Sequence, residues 1–345
     1  MRYLTAGESH GMAMVAILEG MPAGIKIDAG RINSELKRRK EGVGRGERMK
    51  IEEDKVKIIS GIKKGMSLGS PICLYVENKD SSIEKMPPVI CPRPGHADLA
   101  GLLKYGFTDA RNVLERASAR ETVSRVAIGA VCKLFLEGFK IVISSKVISI
   151  AGETSASMIS KKVAEARENK DTVGGIFEVT VKGAPCGLGS YTHADRRLDG
   201  KLAQAVMSIP GVKGVELGLG FGYAGEFGSH VHDAIYFTKH RGYFHGTNNA
   251  GGIEGGVSNG EDILLRACMK PISTLMEPLE SVNISTKKPA KASIQRSDVC
   301  AVESAGVIAE SVCAYALADT FLEKFGSDSL ADIKANYLNY LKRSR

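Results

Sequence analysis

The sequence predicts a mixed α+β fold built in layers. Short β-branched runs bounded by Gly, Pro or Asp recur along the chain, and long helical repeats stand between them. The two kinds of segment alternate irregularly, which argues against the steady strand-helix succession of a doubly wound parallel sheet.

Taken in order, residues 57–60, 71–77, 140–150, 175–182 and 214–221 are rich in β-branched and apolar side chains and are expected as strands. A long helix is expected where Val123, Val126, Ala127, Ala130, Val131, Leu134 and Phe135 recur at helical spacing, with Gly138 as its C-terminal cap. Leu198, Leu202, Ala205, Val206 and Ile209 give a second helix, which Pro210 stops. A third spans about 299–325, with Asp298 placed to cap its start and Gly326 its end. The tail beyond Ser329 carries Leu330, Ile333, Tyr337, Leu338 and Leu341, the pattern of a docking helix. Residues 223–260 include HGTNNAGGIEGGVSNG, too rich in Gly and Asn for regular structure, and are expected as long mobile loops that close over a ligand.

Bulk composition narrows the function classes. The 345 residues suffice for a large core, no low-complexity linker divides them, and no apolar run approaches the roughly 18 residues a membrane span needs. The start, MRYLTAGESHG, lacks the charged and apolar regions of a secretion signal, so a soluble protein of the cytoplasm is expected, with no membrane partner. Seven scattered cysteines without a CxxC pair read as reduced core residues, neither a disulfide scaffold nor a zinc site. The net charge of +8 favours anionic partners: nucleic acid, acidic lipid or phosphorylated metabolites.

Several motifs have a plain reading beside the chemical one. Gly7-Glu8-Ser9-His10-Gly11 fits GxSxG, but a nucleophile elbow needs a helix after the serine, and here a strand-like GMAMVAILEGMP follows. A glycine-flanked turn with a solvated histidine is the alternative. Residues 220–225 spell GxGxxG, yet EFGSHVHDAIYF stands where a dinucleotide fold would start its helix, so a glycine-rich bend is favoured. His230-Val231-His232-Asp233 would set two imidazoles on one side of a strand, but no further ligands recur at zinc-like spacing, and no metal is expected.

Anion chemistry has broader support. In RINSELKRRKEGVGRGERMK, Arg38, Arg39, Arg45 and Arg48 flank a glycine-rich bend suited to wrapping a compact anion, since arginine forks pair with phosphate or carboxylate. A solvated charged helix end is the bland reading. Nucleic-acid binding is the rival, weakened by interspersed Glu35, Glu41 and Glu47 and by the lack of aromatic residues for stacking. In RPGHAD, a Pro-Gly turn puts His96 just before a helical pattern of Leu99, Leu102 and Leu103, a setting for an imidazole working near neutral pH or for an ordinary helix-start histidine. ERASAR is read as opening the first long helix, so that Ser118, Arg116, Arg120 and the backbone amides meet an anion at its N-terminus. KPIST offers a cation and two hydroxyls for a second phosphate.

Together, GESHGMAMVAILEGMP, GRGERM, RPGHAD, ERASARETVSRVAIGAV, GGIEGGVSNG, KPIST and RSDVCAVESAGVIAESV resemble the chorismate synthase family, in the family's order along almost the whole chain. The resemblance implies a single domain over 1–345, a layered β-α-β sandwich of antiparallel sheets and helices, and a cytoplasmic homotetramer. It implies a lyase that removes phosphate from 5-enolpyruvylshikimate 3-phosphate by 1,4-anti elimination, with reduced FMN required but regenerated. Residue by residue it implies catalytic roles for His10, with Ser9 beside it, His96 and Asp298. Substrate phosphate and carboxylates fall to Arg39, Arg45, Arg48, Arg93, Arg120 and Arg296. The flavin falls to Arg116, Ala117, Ser118, Gly255, Lys270, Pro271, Ile272, Ser273, Thr274 and Arg296. Some members of the family oxidise NADPH and others depend on a separate flavin reductase, which, without an appended domain, is expected here; whether Arg39 and Arg45 contact substrate or NADP is left open by the sequence. One departure stands out: Pro210-Gly211 precede VKGVE where many relatives carry Asn-Ala. A nicotinamide or flavin oxidoreductase remains the alternative class, told apart by whether turnover consumes reductant in proportion to product.

Overall fold

The structure, a computed structural model, describes residues 1–45, 53–295 and 298–343. Its frame is two four-stranded antiparallel sheets with helices between them. The first sheet holds β1 (Arg2–Ala6), β2 (Ala13–Glu19), β3 (Val56–Ser60) and β4 (Ile72–Glu77) in the order β1-β2-β4-β3. The second holds β5 (Val142–Ile150), β6 (Gly175–Lys182), β7 (Val212–Leu217) and β8 (Ile263–Met269) in the order β5-β6-β8-β7. Alternation decides which face is covered: Met14, Ala16 and Leu18 of β2, Ile72, Leu74 and Val76 of β4, and Phe177, Val179 and Val181 of β6 all point into the core.

The filling between the sheets is helical. Helix α1 (Ala29–Lys40) starts at Asp28, whose carboxylate accepts from the Gly30 amide at 2.8 Å, and buries Ile32 and Leu36. Two short helices, α2 (Asp98–Tyr105) and α3 (Arg111–Ala117), lie outside the main core. Helix α4 (Thr122–Glu137) packs on β2 and β4, and α7 (Val302–Phe325) packs on β5 and β6. These two also pack on each other, closely enough that a Cβ on Gly129 would lie 2.3 Å from that of Ser311. Helices α5 (Ala156–Glu168), α6 (Leu198–Met207) and α8 (Leu330–Arg343) complete the set. Because α7 has a sheet on one side and helices on the others, it is apolar nearly all round; by length and composition it would suit a membrane, but it is buried within the fold. The architecture is α+β, as the sequence predicts.

One polar cluster interrupts this apolar layer. Glu310 of α7 has no exposed surface, and its carboxylate accepts both Arg38 guanidinium N–H groups at 2.8 Å, the Lys133 ammonium at 2.5 Å and the Ser145 hydroxyl at 2.6 Å. Glu35 binds Arg38 and Lys133 as well. The cluster thereby fixes α1, α4, α7 and β5 relative to one another. Burial alone would raise the Glu310 carboxyl, but Arg38 and Lys133 outweigh it and hold it below the usual range.

Several local expectations are corrected. Helix α7 begins at Val302 after Ala301, with no side-chain cap; Asp298 is drawn instead into an ion pair with Arg45. Glu115, Arg116 and Ala117 close α3 and do not open the long helix, because Ser118 takes an extended backbone that breaks the chain direction and caps the 119–121 turn. The 214–221 strand runs from Val212 to Leu217, and the glycine-rich 220–225 segment is a helical turn. His230 lies in a one-turn helix, Gly228–Val231, not in a strand, and among the described residues no cluster suited to a metal ion occurs. The 223–260 region holds two hairpins, pairing Ile235–Thr238 with Gly242–His245 and Ile253–Glu254 with Val257–Ser258. Cys132, Cys300 and Cys313 are buried as expected, whereas Cys186 and Cys268 are exposed.

Replacing Glu310 by Ala leaves Lys133 and the partly exposed Arg38 with Glu35 as their shared counter-charge but strips three hydrogen-bond donors of a buried acceptor, and the expected cost is about 1–3 kcal/mol, measured by urea denaturation near neutral pH. The contribution of a carboxyl depressed in the folded state is present above its unfolded value and lost as pH falls through the folded one. The gap between parent and variant is therefore expected to narrow in acid; a gap that widens there contradicts this account.

Candidate active site

The predicted residues gather into hydrogen-bonded groups on elements far apart in sequence. The first forms around the turn between β1 and β2. Ser9 donates its backbone N–H to the Glu115 carbonyl at 2.9 Å, and the His10 backbone N–H reaches the Glu115 carboxylate at 2.9 Å. The His10 Nδ1 lies 2.9 and 3.1 Å from the same two carboxylate oxygens, and Arg111 donates to that carboxylate at 3.1 Å. Asn78, just after β4, donates to the carbonyls of Glu8 and Gly11 and thus holds the turn from the other side. Ser118 sits 3.3 Å from the Ser9 hydroxyl, and Arg116 caps the end of β1 by donating to Thr5 and Gly7 carbonyls.

Asn78 also joins this turn to the arginines. Its side-chain oxygen accepts from Arg120 Nε at 2.9 Å, and Arg120 pairs with Asp54 at 2.5 Å. Asp54 takes Arg39 on its other oxygen at 3.0 Å, and Arg39 continues to the Thr122 hydroxyl. All three charged side chains are almost fully buried. Burial would raise the Asp54 carboxyl, yet the two guanidinium groups outweigh it and hold it below the ordinary range.

The second group joins RPGHAD to KPIST. Asp98, fully buried at the first turn of α2, accepts from Arg93 through Nε at 2.8 Å, through Nη2 at 3.1 Å and through the backbone N–H at 3.1 Å. His96 Nδ1 lies 2.5 Å from its other contact oxygen, Oδ1, and 3.2 Å from Arg93 Nη2; the shorter contact, to an acceptor, decides that Nδ1 carries the proton. Burial would raise Asp98, but His96 and Arg93 outweigh it and hold it well below the carboxylate range. Arg93 then donates to the Thr274 hydroxyl at 2.8 Å. Lys270 and Ser273 both donate to the Gly95 carbonyl. Gly95 has φ +73°, and a Cβ there would stand 3.3 Å from both Lys270 Nζ and Ser273 Oγ, so the approach requires glycine.

Thr274 also lines a cavity of about 180 Å³ together with Gly44, Arg45, Lys170, Thr172 and Asp298. His96 is thus three hydrogen-bond steps, through Asp98, Arg93 and Thr274, from a wall that holds Asp298, and the loop after α1 supplies the opposite cation. His10 belongs to the other group, around Asp54 and Glu115. Gly255 stands at the tip of the 253–258 hairpin, with the Tyr191 side chain beside it. Pro271 and Ile272 shape the KPIST turn, and the Ile272 carbonyl accepts from Thr172. Arg48 and Arg296 lie outside the described residues.

Sequence reasoning missed four residues of this constellation: Asp54, Asn78, Arg111 and the carboxylate of Glu115. Each is a partner chosen by tertiary structure, and only Glu115, inside ERASAR, lay in a motif that drew notice.

What the arrangement can do is hold anions beside two oriented imidazoles. Among the described residues the hydrogen-bond partners of Lys270 are neutral, and burial first, then the nearby Lys213 charge, lowers its pKa. A family model described as chorismate synthase matches residues 1–322. Chorismate synthases of Thermoanaerobacter pseudethanolicus and Caldanaerobacter subterraneus subsp. tengcongensis are 53% and 52% identical over 344 residues, covering 99% of this chain and 98% of each relative. A crystal structure of chorismate synthase superimposes with a TM-score of 0.83 at 38% identity, covering 99% of this chain and 98% of that one. With sequence, fold and anion-holding clusters in agreement over the full length, the chain belongs to the chorismate synthase family, lyases that form chorismate.

Proposed function

We propose that this protein removes phosphate from 5-enolpyruvylshikimate 3-phosphate by 1,4-anti elimination, with reduced FMN bound and no net oxidation or reduction. The observation that carries the reading is the junction of RPGHAD with KPIST, where Lys270, Ser273, Thr274 and Arg93 assemble phosphate-binding chemistry next to His96. That donor set fits the phosphate of FMN: one ammonium whose partners among the described residues are neutral and two hydroxyls on a turn held against the Gly95 carbonyl. Arg116, Ala117, Ser118, Gly255 and, from sequence, Arg296 complete the proposed flavin contacts. Bound reduced flavin would supply electron density to a ring that gains positive character as phosphate leaves.

The chain's own residues hold the substrate and move protons. The substrate carries a phosphate and two carboxylates, and Arg39, Arg45, Arg93 and Arg120, with Arg48 and Arg296 by sequence, are proposed to receive them. His10, through Nε2, gives a proton to the departing phosphate, with Ser9 beside it. His96 holds a proton at Nδ1 against Asp98 and offers Nε2 to the flavin. Asp298, on the cavity wall, takes up a proton. The acid partners Asp54, Asp98 and Asp298 keep the arginines from repelling one another before substrate arrives.

A cytoplasmic homotetramer served by a separate flavin reductase, or by NADPH, completes the proposal. The hairpin 235–245 supports self-association, because Ile235, Tyr236, Phe237 and Tyr243 are all more than half exposed, unusual for apolar side chains in a lone chain.

Two measurements test the reading. With pre-reduced FMN under anaerobic conditions, single-turnover phosphate release is expected to slow by about 10²-fold or more in His10→Ala and in His96→Ala, as loss of a positioned proton donor does. Parental rates in both remove the histidines from the chemistry. Separately, Lys270→Ala is expected to weaken FMN binding by about 1.5–3 kcal/mol, roughly 10- to 150-fold in Kd, read by flavin fluorescence. An unchanged Kd detaches KPIST from the cofactor.

A further inference from the structure

We infer that Glu115 is the positioning residue for His10: its buried carboxylate holds the proton on Nδ1 and turns Nε2 outward as the only ring nitrogen free to exchange a proton with substrate. This deepens the proposed role of His10 and rests on it.

Three observations carry the inference. Glu115 contacts His10 twice, at the backbone N–H and at the ring, so the turn and the imidazole plane are set by one group. A carboxylate accepts only, and one this close to Nδ1 requires that nitrogen to be the donor. Glu115 is itself fixed: its side chain is 2% exposed, Arg111 donates to it, and Arg111 is anchored in turn by the Pro87 carbonyl at 2.7 Å. Opposite, His10 Nε2 faces Asp80 at 4.0 Å, a half-exposed carboxylate on the open side of the turn. The imidazole is therefore clamped at one nitrogen and presented at the other.

The second histidine repeats the construction, with Nδ1 on buried Asp98 and Asp98 held by Arg93. Two independent imidazoles built the same way, from unrelated loops, argue that the Nδ1-protonated form is the one this site uses. An unclamped histidine in water favours the other tautomer and turns freely about its side-chain bonds. Restricting both is worth most to a group that must deliver a proton along one direction.

The test begins with the parent protein, so that no variant has to fold. Nitrogen NMR of protein labelled in histidine, with the His10 signals assigned by their loss in His10→Asn, is expected to show a protonated Nδ1. A bare Nδ1 with the proton on Nε2 overturns the inference. The kinetic arm uses single-turnover phosphate release with pre-reduced FMN. Glu115→Gln is expected to slow the rate about 10- to 100-fold, with substrate KM within about threefold, because His10 is misdirected and not removed. The double variant His10→Asn/Glu115→Gln is expected to be no slower than His10→Asn alone, since Glu115 acts only through the imidazole. A further loss in the double variant overturns the inference. If His10→Asn keeps the parental rate, the proposed role of His10 fails; if His10→Asn is slow but Glu115→Gln is not, that role stands and the positioning role of Glu115 fails.

Discussion

Asp54 is the point on which the site's geometry turns. A carboxylate excluded from water must be met by cations, and Asp54 meets two, Arg39 from the end of α1 and Arg120 from the turn before α4. Arg120 then reaches Asn78, and Asn78 holds the turn that carries Ser9 and His10. One buried acid thereby sets the spacing between a helix end, a helix start and a strand connection. Without it, two guanidinium groups would share a dry space and repel each other. The Glu310 cluster does the same for the helices themselves, so the layer that separates the sheets is located by charge pairing as well as by apolar packing.

The fold was legible where periodicity is strong and local. Helices α4 and α6 follow from apolar spacing, and β6 falls on the predicted residues, because burial of one face imposes a repeat that a reader can count. Helix α7, buried nearly all round, is marked instead by its length and by Gly326 at its end. β1, α5 and β8 gave no comparable signal. RYLTA spans only five positions at a sheet edge, and its polar and apolar residues do not alternate, Leu4 standing on the exposed face. In α5 polar residues dominate, with Ile159, Val163 and Ala166 the buried face. In β8, ILLRACM is a short apolar run that helix and strand share equally. Asp298 failed as a cap because a helix end competes with a nearby arginine for the same carboxylate, and the charged partner wins.

The site was legible in its motifs and illegible in its partners. Histidines after glycine turns and arginines near glycine-rich bends announce chemistry in the local sequence. Asp54 lies in a run of charged residues and Asn78 precedes a Lys-Asp pair, so nothing local separates them from solvated surface. Their meaning comes from what lies across the fold: Arg39, Arg120 and the backbone of residues 8–11. The acidic member of ERASAR shows the same limit. Its neighbours Arg116 and Ser118 drew attention as anion ligands, whereas Glu115, facing inward, does the orienting.

The distribution of uncompensated charge follows from these pairings. Arg39, Arg93, Arg111 and Arg120 each meet a buried carboxylate, so together they contribute shape and hydrogen-bond direction more than net field. Lys270 and Arg116, in contrast, donate among the described residues to neutral oxygens, those of Gly95, Ser273, Thr5 and Gly7. Their charge is available to a ligand without first being withdrawn from an acid. An anion arriving at KPIST or at the end of β1 gains a full cation. One arriving at the Asp54 or Asp98 groups must share an arginine already engaged, and binds well only if it offers oxygens where those guanidinium groups still have N–H to give. Such a division matches the proposed roles, the first kind of site for a cofactor phosphate, and the second for selecting a substrate by the placement of its charges while releasing the product once phosphate has left.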